Sequence, residues 1–282
     1  MDGFNFKSLY TIAKKEFLDN IRNKWVILLT ILFIILIIVF SYVAGAGSED
    51  TFGGMQSTVF GLLGISSLLI PLIAIILGFS TISGEAESGA LNVVLSYPVR
   101  RIEILLGKLI GLGTVISFSV LIGFGLGGIV IAMTVGPESW VGYFGFILLS
   151  MFLGFIYLSL AICVSAYCKR RITSIGGGII IFFWSLIYGT VMIAVLYAAG
   201  GSFQDFLGGK IPDWFFNSVV FSPSDLYQTA VQRAFGVVTI EQAGFSVAIP
   251  DFLDWPVLLS SQIIWFMVPL VLAYFFFKRR DI

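Results

Sequence analysis

The sequence predicts an all-α polytopic membrane protein with six transmembrane helices, and three observations carry that prediction. Hydrophobic residues fill 58% of the 282 positions and charged residues 11%, whereas soluble domains carry about 25% charged residues. Six predominantly apolar runs reach the roughly 20 residues that a helix needs to cross about 30 Å of hydrocarbon. Basic residues also gather in alternate loops, as they do in a chain threaded back and forth through a bilayer. The whole of 1–282 is expected to form a single transmembrane domain, because spans packed side by side share one packing unit.

The first element precedes the spans. Over residues 4–24, Leu9, Ile12, Ala13, Phe17 and Ile21 recur at helical spacing, with Lys14, Lys15, Asp19 and Arg22 opposite them. This pattern predicts an amphipathic helix lying in the cytoplasmic interface of the membrane. The first run, 25–44, is longer than the roughly 7–15 residues of a signal-peptide core, so the start of the chain is expected to be retained. Ala44-Gly45-Ala46 is a weak match to a cleavage site.

The second run covers 60–82 and contains Pro71, which predicts a kink. The third, 105–133, is long enough to tilt or bend and is studded with glycine. Gly107/Gly111 and Gly123/Gly127 have the spacing that permits close helix approach. Glycine is frequent in membrane helices, however, and the composition of the run is sufficient to explain these pairs. The fourth and fifth runs are 143–167 and 173–199, and the sixth is 257–277. Cys163 and Cys168 lie in or just beyond the fourth run. Five residues apart on a helix, they point about 140° from each other, so neither a disulfide nor a metal pair is expected. The runs are taken as uncharged, with Lys108 at the head of the third counted with the loop before it.

Orientation follows from the loops. Lys7, Lys14, Lys15, Arg22 and Lys24 precede the first run. Arg100, Arg101 and Lys108 follow the second, Lys169, Arg170 and Arg171 the fourth, and Lys278, Arg279 and Arg280 the sixth. The opposite side holds Lys210 and Arg233 among the acids Glu49, Asp50, Glu138, Asp205, Asp213, Asp225, Glu241, Asp251 and Asp254. The positive-inside rule then places both termini in the cytoplasm, in a plasma or inner membrane. Both termini on one side require an even number of spans, and six satisfies that independently.

The external segment 200–256 is the long loop. Ser222-Pro223-Ser224-Asp225 has the form of a helix start, with Ser222 as N-cap and Pro223 as first residue. Trp214, Phe215, Phe216, Val219, Val220 and Phe221 are too apolar for a solvated loop. They are expected to dip into the bilayer face or to pack on the span ends.

Several function classes are excluded by inventory. Net charge is zero, against a nucleic-acid partner. Histidine is absent, which removes histidine-based haem, zinc and copper sites and Ser-His-Asp chemistry. No proton relay is expected inside the membrane, although sodium sites built from backbone carbonyls stay open. Gly208-Gly209-Lys210 lacks the first glycine of a phosphate loop, so ATP is not expected to be hydrolysed by this chain. No cofactor is expected in the chain itself.

The second loop, 84–101, is the most informative stretch. Leu91, Val94 and Leu95 would form one apolar stripe on a short helix, which Pro98 stops. Glu85 and Glu87 sit near its start, where negative charge is favoured, and Arg100 and Arg101 lie past its end. Read from composition, this is an ordinary capped interfacial loop. Its pattern nonetheless resembles the signature loop of ATP-binding-cassette (ABC) permeases of the type-2 exporter class, approximately E-x-E-x-G-T-L-x-x-L-L-S-x-P-V-S-R. Glu85, Glu87, Gly89, Leu91, Leu95, Ser96, Pro98, Val99 and Arg101 match, Leu106-Gly107-Lys108 continues the pattern, and Ala90 and Arg100 depart from it. The layout of the whole chain is similar to that class, and most similar to its NosY-like members.

The resemblance implies a mechanism. Two permease subunits, identical or different, would pack as a dimer, each on a cytoplasmic ATPase subunit that supplies ATP and magnesium. The loop helix would be the coupling helix, with Glu85, Glu87, Gly89, Leu91, Leu95, Pro98 and Arg101 as its coupling residues. The alternatives are a membrane scaffold subunit that moves no substrate and a carrier independent of ATP.

Overall fold

In hydrocarbon every backbone amide must be satisfied within its own segment, and the six apolar runs accordingly form helices. The computed structural model describes residues 5–46, 55–134, 140–200, 211–237, 239–242 and 245–280. Gly208-Gly209-Lys210 and several of the acids expected on the external side, Glu49, Asp50, Glu138 and Asp205, lie outside them. The chain opens with α1 (Phe6–Ile21), followed by α2 (Lys24–Ala46), the first span. The second span is α3 (Met55–Gly78), and two short helices follow it, α4 (Ser83–Glu87) and α5 (Ala90–Leu95). Then come α6 (Arg101–Thr134), α7 (Trp140–Tyr167) and α8 (Arg171–Ala198), the third to fifth spans. The segment between the fifth and sixth spans contains α9 (Asp213–Ser218), a short 3-10 turn and α10 (Pro223–Ala234), and α11 (Trp255–Arg279) is the sixth span. Six of these helices are long and apolar enough to cross a membrane. The helix α3 runs through Pro71 without ending there.

Helix α7 lies at the centre and buries residues on every turn. Its flanks are α3, α6, α10 and α11. By contrast α8 buries Ser174, Gly178, Tyr188 and Leu196 along 28 residues, so most of its surface faces outward.

Two expectations are corrected. Lys108 belongs to the third span rather than to the loop before it, seven residues inside α6, and is 3% exposed. That is about 10 Å along the helix from its first residue. Both glycine pairs of α6 are contact surfaces and not merely composition. Gly107 faces Ile12 of α1, and a Cβ on Gly111 would come 2.5 Å from the Ala13 carbonyl oxygen. Gly123 and Gly127 face Phe33 and Ile37 of α2. The helix α1 therefore packs backbone-close against α6, which a helix lying free in the interface would not do.

The helix start at Ser222 is present. The Ser222 hydroxyl accepts from the Asp225 amide at 3.3 Å, and Pro223 occupies the first turn. What stands out is where that start lies. The Ser224 hydroxyl is 2.8 Å from both the Tyr157 and the Ser185 hydroxyls, and Ser185 is midway along α8. The Tyr227 hydroxyl lies 2.9 Å from Ser66, midway along α3, and 2.7 Å from Ser150 of α7. The segment thus enters the bundle to about half its depth and returns outward along α10. Buried hydroxyls carry it because unpaired polar groups are costly there. Beyond α10 a short antiparallel hairpin pairs β1 (Thr239–Gln242) with β2 (Phe245–Ala248), Thr239 opposite Ala248. This hairpin is an addition to an otherwise helical fold.

Candidate functional site: the helix pair between the second and third spans

The segment from Ser83 to Arg101 has no long helix to stabilise it, so its amides must find partners among neighbouring elements. Ser165 near the end of α7 supplies the first: its hydroxyl oxygen accepts from the Ile82 and Ser83 amides, each at 3.0 Å. Gly89 separates α4 from α5 at φ +76°, a left-handed conformation that side chains with a Cβ adopt at a cost. After α5 the Tyr97 amide still reaches the Val94 carbonyl at 3.3 Å, and the chain then turns at Pro98 into α6.

The predicted apolar stripe divides. Leu91 is fully buried, whereas Val94 and Leu95 are half-buried. Burying one leucine side chain contributes about 1.5–3 kcal/mol, enough to fix which face of α5 points at the bundle. Asn92, Val93, Ser96, Tyr97 and Pro98 remain exposed, with Val93 at 61% and Tyr97 at 64%.

The two glutamates also divide. Glu85 turns inward, and the Lys108 ammonium donates to it at 2.6 Å. The same ammonium donates to Glu16 of α1 at 2.7 Å. One cation thus holds two carboxylates and joins α1, α4 and α6 at a single point. The triad carries a surplus of one negative charge, and the second Glu85 oxygen is buried without a hydrogen-bond partner. Glu87 is exposed; its carboxylate accepts from the Arg171 amide at 2.7 Å and so caps the start of α8. An acid at a helix N-terminus is favoured both as hydrogen-bond acceptor and by the helix dipole.

Arg101 turns away from the exposed face. Its guanidinium donates to the carbonyls of Phe277, Lys278 (2.8 Å) and Arg280 (3.0 Å), and it lies over the Phe277 ring. It therefore satisfies the last turn of α11, where four carbonyls have no partner within the helix. Arg280 repeats the arrangement on α7, donating to the carbonyls of Ser165, Ala166 and Lys169 at 3.3, 3.4 and 3.0 Å. Glu103 completes the layer. One of its oxygens accepts from the Arg100 amide at 3.2 Å, capping α6, and the other from the Asn5 amide at the head of α1 at 2.7 Å.

The structure thus brings Glu85, Leu91 and Arg101 onto the inner side of the element. Glu87 and Leu95 lie at its rim, Gly89 at its bend, and Pro98 on its outer side. Lys108, which continues the sequence pattern, joins it, and so do Glu16, Glu103 and Arg280, which the pattern did not single out. Glu16 had a visible signal: it falls four residues after Ile12 and three after Ala13, on the apolar side of α1. Among the described residues no group of three His, Cys, Asp or Glu side chains is placed to hold a metal ion, and Cys163 and Cys168 are both free.

These contacts join α4 and α5 into one element with the neighbouring ends of the spans. A force on its outer face reaches α1 and α6 through Lys108, α8 through Glu87 and α11 through Arg101. Packed helices respond to such forces by discrete shifts rather than by continuous deformation.

Comparison with known proteins agrees with this layout. A family description, ABC-2 family transporter protein, matches residues 10–282. The chain is 31% identical over 284 residues to a probable ABC transporter permease protein NosY of Stutzerimonas stutzeri, covering 96% of this chain and 98% of that protein. It is also 31% identical over 285 residues to the protein of the same description from Pseudomonas aeruginosa, covering 97% and 99%.

Proposed function

The chain belongs to the ABC-2 transporter family as a membrane-spanning permease subunit, and from that premise we propose that it is the transmembrane part of an ATP-driven exporter. In this reading α4 and α5 form the coupling element, and a separate cytoplasmic ABC ATPase seats on their outer face. ATP and magnesium are bound and consumed by that ATPase, not by this chain. A second permease subunit completes the path through the membrane. Both termini and the coupling element lie in the cytoplasm of a cell with this protein in its plasma or inner membrane.

The observation that carries the proposal is the anchoring of α4 and α5. Their inner side is tied to α1, α6, α7 and α8 by charged and backbone hydrogen bonds, and Arg101, which opens α6 directly after them, ties that helix to α11. Their outer side presents Val93 and Tyr97 to no described partner. A loop that merely joined two spans would need neither the rigidity nor an exposed aromatic beside an exposed valine. Leu91 and Glu85 then act as positioning residues and not as docking contacts.

Sidedness is the first test. In intact cells or sealed right-side-out vesicles, a Tyr97→Cys variant should resist a membrane-impermeant maleimide and react once the membrane is opened. Native Cys163 and Cys168 are first replaced by alanine to remove the background. Full labelling before permeabilisation places the element on the outside and ends the ATP-coupling proposal.

A further inference from the structure

A groove of about 530 Å³ opens between the α4–α5 element and the ends of α7 and α11. We propose that it binds the phosphate headgroup of an anionic phospholipid from the adjoining leaflet. Placing that leaflet on the cytoplasmic side rests on the orientation proposed above; the chemistry of the groove does not.

Lys169, Arg279 and Arg280 line it, and Glu87 stands on the opposite wall. Among the described residues none of the three cations is ion-paired to a carboxylate. Glu87 is already engaged by the Arg171 amide. Arg280 spends three donors on carbonyls of α7 and its following turn, and a guanidinium has five. Among the described residues the groove therefore holds a surplus of positive charge with free donors, complementary to a phosphate diester.

The rest of the groove is aromatic. Tyr167 and Phe276 pack against each other with ring centroids 5.1 Å apart. They sit on the last turns of two spanning helices, the depth at which headgroups meet hydrocarbon and where aromatic rings are favoured. From Arg279 an exposed apolar stripe runs back along α11 through Phe275, Leu272 and Val268. These residues share one face at helical spacing. Cations at the end, rings beside them and an apolar track leading into the membrane match one molecule of phospholipid, head and chain together. A free phosphate would use the first feature and leave the other two unexplained. Basic pockets between helix ends on the cytoplasmic side attract anionic lipid in this way. Because the far wall is Ala86, Glu87 and Asn92, a bound headgroup would bridge the coupling element to the ends of the fourth and sixth spans.

The test uses the full chain, delipidated in a neutral detergent, with native mass spectrometry to count retained lipid. Phosphatidylglycerol, phosphatidylcholine and soluble glycerol 3-phosphate are the three probes. The wild type should retain phosphatidylglycerol over phosphatidylcholine. Lys169→Gln with Arg279→Gln should lower that preference by about fivefold per cation removed, while Arg22→Gln, an exposed cation outside the groove, should leave it unchanged. Thermal melting of each variant without lipid checks that the fold is intact. Equal retention of the two lipids, or an undiminished preference in the double variant, overturns the proposal. Displacement by glycerol 3-phosphate at the lipid's own concentration assigns the groove to free phosphate and overturns it too. Detergent removes sidedness from this experiment, so its failure is distinguishable from failure of the orientation, which the maleimide experiment reads.

Discussion

Replacing Lys108 with methionine should destabilise the protein by about 3–5 kcal/mol, the usual cost of leaving buried charge without its partner. Methionine fills much the same volume, so packing is nearly preserved and the electrostatic effect is isolated. The substitution leaves Glu16 and Glu85 close together, both partly or wholly withdrawn from water, with no cation between them. Like charges at such distances repel strongly. The contrasting variant is Glu85→Gln. It removes the surplus negative charge, leaves one Glu16–Lys108 pair and keeps an oxygen that can accept from Lys108, so its effect on stability should be much smaller than that of Lys108→Met. Thermal melting of the two variants in detergent should separate them by many degrees, and any transport or ATPase readout should fall more in Lys108→Met than in Glu85→Gln. Similar melting temperatures for the two would show that the triad does not hold α1 and α4 to the third span. The difference matters because Lys108 is the point at which α1 and α4 share a bond to the same spanning helix.

The second large effect concerns the outer face of α5. Val93→Asp combined with Tyr97→Ala should abolish co-purification of the ATPase subunit while leaving the melting temperature of the permease within a degree or two of wild type. Truncating aromatic anchors and placing charge in the desolvated centre of an interface commonly cost 2 kcal/mol or more each. Both residues are more than half exposed in the isolated chain, so neither change should disturb its own fold. Leu91→Asp is the informative companion. Leu91 is fully buried, and a carboxylate there should lower stability and ATPase binding together. If Val93 and Tyr97 could be changed without losing the ATPase, the docking face would have to lie elsewhere on the cytoplasmic side.

The number of spans was legible in the sequence because hydropathy is a one-dimensional signal, read along the chain without knowing which segments touch. The start of α10 was legible for a similar reason: Ser222, Pro223 and Asp225 act within one helical turn. Contacts between distant residues were not. Lys108 and Glu16 are 92 positions apart, and nothing local tells a lysine at a span's edge from one paired inside the bundle. The depth reached by α10 was hidden because its anchors, Tyr157, Ser150, Ser185 and Ser66, look like ordinary members of apolar runs. The close approach of α1 to α6 was written in Gly107 and Gly111, but glycine abundance in membrane helices masks such a signal. One feature of the candidate site is legible from spacing alone. Glu85 and Glu87 stand two residues apart, which on a helix is a turn of about 200°, so they could not both face the same partner. The structure assigns them opposite tasks, one holding Lys108 and the other capping α8.

In the proposed assembly the outer face of α4 and α5 meets a nucleotide-binding subunit. A photoreactive benzophenone side chain at position 93 of the full-length protein, irradiated in native membranes, tests it most directly. An adduct between this chain and an ABC ATPase is expected, with none from the same probe at Phe221, in the 3-10 turn between α9 and α10. An ATPase adduct from position 221 and not from position 93 would contradict it.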